Sequence, residues 1–342
     1  MLGGENAGMS VRIAVIGAGI MGADHARIVA QELPGAVLQV VCDKDESLAS
    51  AAAERFGADD VMTNPEAAIT RDDVEAVIIA SPDSTHAPLS MACIRAGKKA
   101  LCEKPLSQLS ADCLEVMAAE QEAGAQYVQL GFMRRYDQSY VEMKDSLASG
   151  RLGRPLMMHN FHRNVETPLS DFTGAMSITN SAPHEFDVAR HMLGAEFTSI
   201  SAWQPKRSDD VVAPVLMVLE TTNGQLVTIE VNNNAAYGYD VRAELVGEAG
   251  SISMNSVVHT RTDMRLTSST SYDTDWRTRF AEAYRRQNHD FLTFVETGQF
   301  PETCASCWDG YCATVVAEAG VKALEGEGRV PIQMIEKPEL YA

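Results

Sequence analysis

The chain reads as an α/β protein of two domains, a doubly wound parallel sheet flanked by helices and then an α+β unit. Three observations predict this. A short apolar run, Val11–Ile16, leads into Gly17-x-Gly19-x-x-Gly22 and a helical pattern, and a second apolar run, Val37–Cys42, ends in Asp43. Strand-like and helix-like patterns then alternate as far as residue 132, the rhythm of a parallel sheet. After residue 133 the alternation stops, and longer strand-like runs appear among scattered helical pieces. A length of 342 residues leaves each domain large enough to bury its own core. The expected division is a loose leader over 1–10, a nucleotide-binding domain over 11–132 and a substrate-binding and assembly domain over 133–342. Met1 and Met9 are both available as the start.

In the first domain each glycine has a task. Gly17 makes a tight turn, Gly19 lets the backbone approach a pyrophosphate, and Gly22 lets helix and strand pack closely. Together with Ile20 and Met21 they open a helix whose N-terminal N–H groups and dipole favour phosphate. Asp43 stands where a carboxylate accepts from a ribose 2′-hydroxyl and repels a 2′-phosphate, which favours NAD over NADP, and Lys44 weakens that preference slightly. The rhythm continues with a helix over Ser47–Phe56, a strand over Val74–Ala80, a helix over His86–Ala96, a strand over Ala100–Cys102, a helix over Ser110–Ala123 and a strand over Tyr127–Phe132. Ligands of such Rossmann sheets bind beyond the carboxyl ends of the strands. Two segments fall there: "SPDSTH" (81–86), with Ser81, Pro82 and His86, and "CEKPLS" (102–107), with Glu103 and Lys104. A loop lysine ordinarily faces solvent, but Lys104 lies between Glu103 and Pro105 at a strand's carboxyl end.

In the second domain strands are expected over Leu156–His162, Val212–Glu220, Leu226–Asn232 and Val241–Val246, and helices over Ala182–Met192, Arg279–Glu296 and Gly310–Leu324. The net charge of −19 argues against nucleic acid and anionic membrane surfaces. No run approaches a membrane span, and the first residues lack the basic and apolar regions of a signal peptide. Seven cysteines without such a signal read as reduced cytoplasmic thiols; Cys304 and Cys307 form a CxxC with no second ligand pair, so no metal is expected.

The glycine turn, Glu103-Lys104-Pro105, "GFMRRYD" (131–137) and "HEFD" (184–187) resemble the Gfo/Idh/MocA oxidoreductases, and within them the inositol 2-dehydrogenase branch. The likeness runs nearly end to end, through "PLMMHNFHRN" (155–164), "YGYDVRAELVGEAG" (237–250), "WDGYCATVVAEAGVKA" (308–323) and "EKPELY" (336–341). It implies a second domain with a large, open, mostly antiparallel sheet whose face builds a tetramer. It also implies NAD-dependent oxidation of a secondary hydroxyl of myo-inositol or a stereoisomer. Such chemistry needs a base for the hydroxyl proton, and polar groups that hold the polyol. The resemblance makes Lys104 the residue at the reacting hydroxyl and nicotinamide ribose, and His184 the base. Arg134, His162 and Asn164 line the polyol site, with Asp187 and Tyr237 or Tyr239 close by. Each has a plainer alternative: an exposed charge pair for Arg134 and Arg135, a core histidine for His162, an interface aromatic for Tyr237, packing for His191.

One position departs from that pattern. The family's aspartate four residues before the histidine is here Asn180. Pro183 belongs in a first helical turn, so Asn180 or Ser181 is expected to cap the helix that carries His184. An asparagine can hydrogen-bond a substrate but supplies no charge to the imidazolium, and Asp187, one turn further on, is the available electrostatic substitute. Two alternatives stay open: a sugar or pyranose dehydrogenase on the same fold, and a catalytically silent NAD-binding regulatory protein.

Overall fold

The computed structural model describes residues 10–167, 171–209, 211–255 and 261–342. The leader, apart from residue 10, and the second start at Met9 lie outside them. The chain opens with β1 (Val11–Ile16), α1 (Ile20–Gln31), β2 (Ala36–Cys42), α2 (Glu46–Phe56), β3 (Asp60–Met62), α3 (Pro65–Ile69), β4 (Ala76–Ile79), α4 (His86–Arg95), β5 (Lys99–Cys102), α5 (Ser110–Ala123) and β6 (Val128–Leu130). It continues with α6 (Gln138–Ala148), β7 (Pro155–Arg163), the one-turn α7 (Gly174–Met176), α8 (Pro183–Leu193), β8 (Phe197–Trp203), β9 (Val215–Thr221), β10 (Leu226–Asn232), β11 (Asp240–Gly247) and β12 (Gly250–Ser253). A hairpin, β13 (Arg261–Met264) and β14 (Thr267–Thr270), precedes α9 (Trp276–Arg279), α10 (Ala281–Thr297), α11 (Cys307–Lys322) and the short β15 (Val330–Pro331).

Among the described residues two compact units result, one of 10–131, 284–311 and 337–342, the other within 132–283 and 312–336. The first holds a six-stranded parallel sheet in the order β3-β2-β1-β4-β5-β6, the doubly wound arrangement. β1 and β4 are almost wholly apolar because helices cover both faces of such a sheet. Local chemistry sets the helix ends. Asp45 caps α2 through the Ser47 N–H and Asn64 caps α3 through the Ala67 N–H, while Gly57 and Gly124 end α2 and α5 in the left-handed region.

The division at residue 132 needs a correction. Residues 284–311 and 337–342, assigned by sequence to the second domain, pack in the first unit. Phe291, Leu292 and Phe294 of α10 close the core around Val11, Ile13, Val15, Leu38 and Val41. The tail is tied by the Tyr341 hydroxyl, which donates to Glu120 at 2.6 Å, and by the Gln126 amide, which donates to the Leu340 carbonyl at 2.9 Å. These contacts join positions more than 150 residues apart in the chain, which no local pattern records.

The second unit contains a seven-stranded sheet in the order β12-β11-β7-β10-β9-β8-β15. Only β7 and β10 run parallel; the other neighbouring pairs are antiparallel. Alternation is clean. Met158, Asn160 and His162 of β7 are buried on one face with Val227, Ile229 and Val231 of β10. Trp203, Leu216 and Leu226 are exposed on the opposite face. α6 and β8 had no counterpart in the sequence reading, which placed only four strands in this sheet.

Candidate active site

The glycine turn is sterically specified. Gly17 has φ +98°, and a Cβ there would stand 2.4 Å from the Ala80 carbonyl oxygen, while a Cβ on Gly22 would stand 1.8 Å from the Gly17 oxygen. Around Gly19 there is open space, and this residue caps α1 without a side-chain bond, leaving the first N–H groups of the helix facing outward. Ile20, the first residue of α1, is 67% exposed although apolar. Asp43 accepts the Ala18 N–H at 2.7 Å and the Asp45 N–H at 2.9 Å. The carboxylate thus locks the turn to the end of β2 while each oxygen keeps a lone pair for a ribose hydroxyl. An open, N–H-lined turn with an anchored carboxylate beside it fits a dinucleotide. Lys44 is exposed and Met21 half-buried beside that turn, and Ser81 and Pro82 follow β4, where the Ser81 and Thr85 hydroxyls meet at 2.6 Å.

Two residues expected at the cofactor, Glu103 and His86, are buried and hydrogen-bonded within the first unit. Glu103 accepts from His25 Nε2 at 2.9 Å and from the Lys104 N–H at 3.3 Å. His86, 1% exposed, contacts the Pro105 carbonyl through Nδ1 at 2.7 Å and the Ser81 carbonyl through Nε2 at 2.8 Å. Burial works against a charged His86 ring, but the Cys102 sulfur and then the two carbonyls outweigh it and push its pKa up to about 10. Lys104 itself is half-buried and follows β5.

In the second unit a buried polar network surrounds the start of α8. The guanidinium of Arg134, 1% exposed, is paired with the fully buried Glu185. The other Glu185 oxygen accepts from His162 Nδ1 at 3.0 Å. The same Nδ1 lies 3.2 Å from Arg134 Nη2, and Nε2 lies 3.4 Å from the Asn164 amide nitrogen. That amide donates to Asn233 Oδ1 at 2.6 Å, and the Asn233 amide donates to the Ser177 hydroxyl at 3.1 Å. Burial pushes the Glu185 carboxyl up, but Arg134 and then His162 outweigh it and hold it below the usual carboxylate range. Glu185 and Asn233 were not singled out from the sequence. The signals were present, since Glu185 lies within "HEFD" and Asn233 in the polar end of β10.

The segment before α8 differs from expectation. Residues Ser177–Ser181 form a π-helical turn, and the cap position of α8 is Ala182, which makes no side-chain cap bond. Neither Asn180 nor Ser181 caps the helix. Pro183 lacks an N–H to satisfy, so the helix starts without one, and the wide turn frees the two polar side chains for other contacts. Asn180 Oδ1 accepts from the Thr179 hydroxyl at 2.6 Å, and Ser181 donates to Asn233 at 3.3 Å. His184 is 7% exposed with its ring edge-on to Phe132, centroids 6.1 Å apart.

The Asp187 oxygens take Arg135 Nε at 2.9 Å and Nη2 at 2.5 Å in a buried bidentate pair. Tyr237 is half-exposed, and its hydroxyl bonds Asp240 at 2.8 Å and Arg163 at 2.9 Å. Arg163 points away from the face that carries His162, because side chains alternate along β7. Tyr239 is the tyrosine beside Arg134; it is buried and its ring meets Phe280 edge-on. Among the described residues no group of three or more His, Cys, Asp or Glu side chains converges as a metal site, and all seven cysteines are buried.

An open glycine turn, an anchored acid and a lysine at the strand ends define a dinucleotide-dependent oxidoreductase, and family comparison agrees. Residues 11–132 match the oxidoreductase family with an NAD-binding Rossmann fold, GFO/IDH/MocA, and residues 140–253 match the GFO/IDH/MocA C-terminal domain. The chain belongs to this family of NAD-dependent enzymes acting on CH–OH groups. Its relatives include inositol 2-dehydrogenase 1 of Saccharopolyspora erythraea, 43% identical over 97% of this chain and 99% of the relative. Inositol 2-dehydrogenase of Streptomyces avermitilis is 41% identical over 96% of each. The crystal structure of myo-inositol dehydrogenase from Lactobacillus casei with NAD(H) and myo-inositol is 29% identical, with TM-score 0.92 over 98% of this chain and 100% of that one.

Proposed function

We propose that this protein oxidises a secondary hydroxyl of a cyclitol, myo-inositol or a stereoisomer, to the ketone. The observation that carries the reading is the near full-length similarity to inositol 2-dehydrogenases, together with the Glu103-Lys104-Pro105 and "HEFD" motifs that resemble that branch. NAD, when bound, supplies the hydride acceptor. The Lys104 ammonium polarises the hydroxyl oxygen, and the His184 imidazole takes its proton. His162 Nε2, oriented through Glu185, and the Asn164 amide hold neighbouring hydroxyls, and Arg134 supports them from beneath by fixing Glu185. Asn180 offers an amide where the related enzymes carry a carboxylate, so the imidazolium formed at His184 is stabilised less.

A panel of cyclitols and aldoses, with NADH formation followed and the ketone identified by mass spectrometry, tests the reading. Turnover is expected with an inositol at a rate at least tenfold above any aldose. A faster aldose would make the enzyme a sugar dehydrogenase, and NAD binding without turnover on any polyol would make it a silent regulator. The outer sheet face supports assembly into a tetramer, and the buried thiols fit a cytoplasmic setting. Among the described residues no helix is long and apolar enough to cross a membrane.

A further inference from the structure

Lysine is a poor instrument for geometry. Its side chain has four rotatable bonds and a point charge, so the placement of its amine depends on how firmly its backbone is held. Lys104 follows β5 in a turn with a buried histidine at each end. On the leading side Glu103 is 6% exposed, accepts from His25 Nε2 at 2.9 Å, and with its second oxygen meets the backbone N–H of Lys104 at 3.3 Å. Gly131 leaves that carboxylate its room, since a Cβ there would stand 2.8 Å from Oε2. The other ring nitrogen of His25 lies 3.2 Å from the Asn288 amide, which donates to the Tyr284 carbonyl at 2.8 Å, so the ring cannot turn. On the trailing side His86 bonds the Pro105 carbonyl at 2.7 Å and the Ser81 carbonyl at 2.8 Å. Neither carbonyl can donate, so both ring nitrogens carry hydrogen when both bonds are made.

We propose that His25 and His86 are positioning residues for Lys104, two fully buried imidazoles that hold the Glu103–Lys104–Pro105 turn from its two ends. This rests on the role given to Lys104 above. His25 lies on α1, the helix that begins at the glycine turn, and His86 ties the loop after β4, so the two link the cofactor-binding elements to the lysine. Two well-satisfied core histidines that serve stability alone would show the same bonds. The two roles differ in whether the effect of each ring passes through the Lys104 amine.

The test is a pair of variant cycles. His25 and His86 are each replaced by Leu and by Gln, whose amide can still donate, in the intact protein and in Lys104→Ala. NAD dissociation constants come from fluorescence titration, and single-turnover NADH formation is followed with myo-inositol. NAD affinity is expected to stay within about threefold. In the intact protein the Leu variants should lose about 100-fold in rate and the Gln variants about 10-fold, the scale of a misplaced catalytic group. In Lys104→Ala the same changes should cost less than about twofold, because the group they position is gone. Equal losses with and without the amine, or folded variants at the intact rate, would overturn the proposal. Should the Leu variants not fold, the Gln pair decides by the same comparison. Failure of the underlying reading looks different, because Lys104→Ala alone would then turn over undiminished.

Discussion

His86 shows how a residue's identity and its role can part. Its position after β4 placed it among the expected cofactor ligands, yet both its nitrogens are spent on backbone carbonyls. Its folded pKa lies near 10, above the roughly 6.5 of an unfolded histidine. The stabilisation from its protonation is therefore complete below about pH 6.5 and is lost as pH rises through about 10. Urea midpoints measured at intervals between those limits should fall with pH in the wild type, and the decline should flatten in His86→Gln. An identical slope in both proteins would show that the ring is neutral. Asn180 makes the second prediction at this scale. A carboxylate there stabilises the imidazolium of His184, so Asn180→Asp should raise the acid-limb pKa of kcat/KM by about one unit. An unmoved limb would mean that position 180 does not sense the base. The glycines could be read from sequence because backbone strain and close packing demand one residue type, whereas the roles proposed for Lys104 and His184 rest on the family resemblance. Glu185 lies within the legible "HEFD" motif, but its pairing was not legible, because its partners Arg134 and His162 come from other parts of the chain.

At the scale of elements, the turn from β1 to α1 depends on atoms that are missing. Gly22→Ala would drive a Cβ into the Gly17 carbonyl, so the helix must shift outward. A loss of about 1–3 kcal/mol is expected in chemical denaturation, with NAD affinity falling at least tenfold. Wild-type affinity in a folded Gly22→Ala protein would contradict the close packing. Most helices and strands of the first unit were legible, and α5 and β10 coincide with their expected bounds. The turn before α8 was not. Asn, Ser and Pro in succession match the ordinary start of a helix, but the chain makes a π-helical turn because Ser177 and Ser181 find their partner in Asn233, some 50 residues away.

For the whole molecule, the division into a NAD unit and a second, sheet-based unit was legible from the point where strand–helix alternation ends. The return of α10 and of the C-terminal tail to the first unit was not, because Phe291, Phe294 and Tyr341 report only on what they finally touch. The outer face of the seven-stranded sheet carries Trp203 and Leu216 as a cross-strand pair, with Leu226 also exposed there. The tetramer proposed above would use this apolar strip. Trp203→Glu with Leu216→Glu should reduce the sedimenting mass to that of a smaller assembly, and an unchanged mass would remove this face from the interface.

The proposed activity depends on Lys104 acting on a bound polyol hydroxyl. The most direct test is the single-turnover rate of NADH formation from myo-inositol by the wild type and by Lys104→Ala at saturating NAD. A drop of about 1,000-fold with NAD affinity retained is expected, the scale on which transition-state electrostatics and positioning act. Equal rates in the two proteins would contradict it.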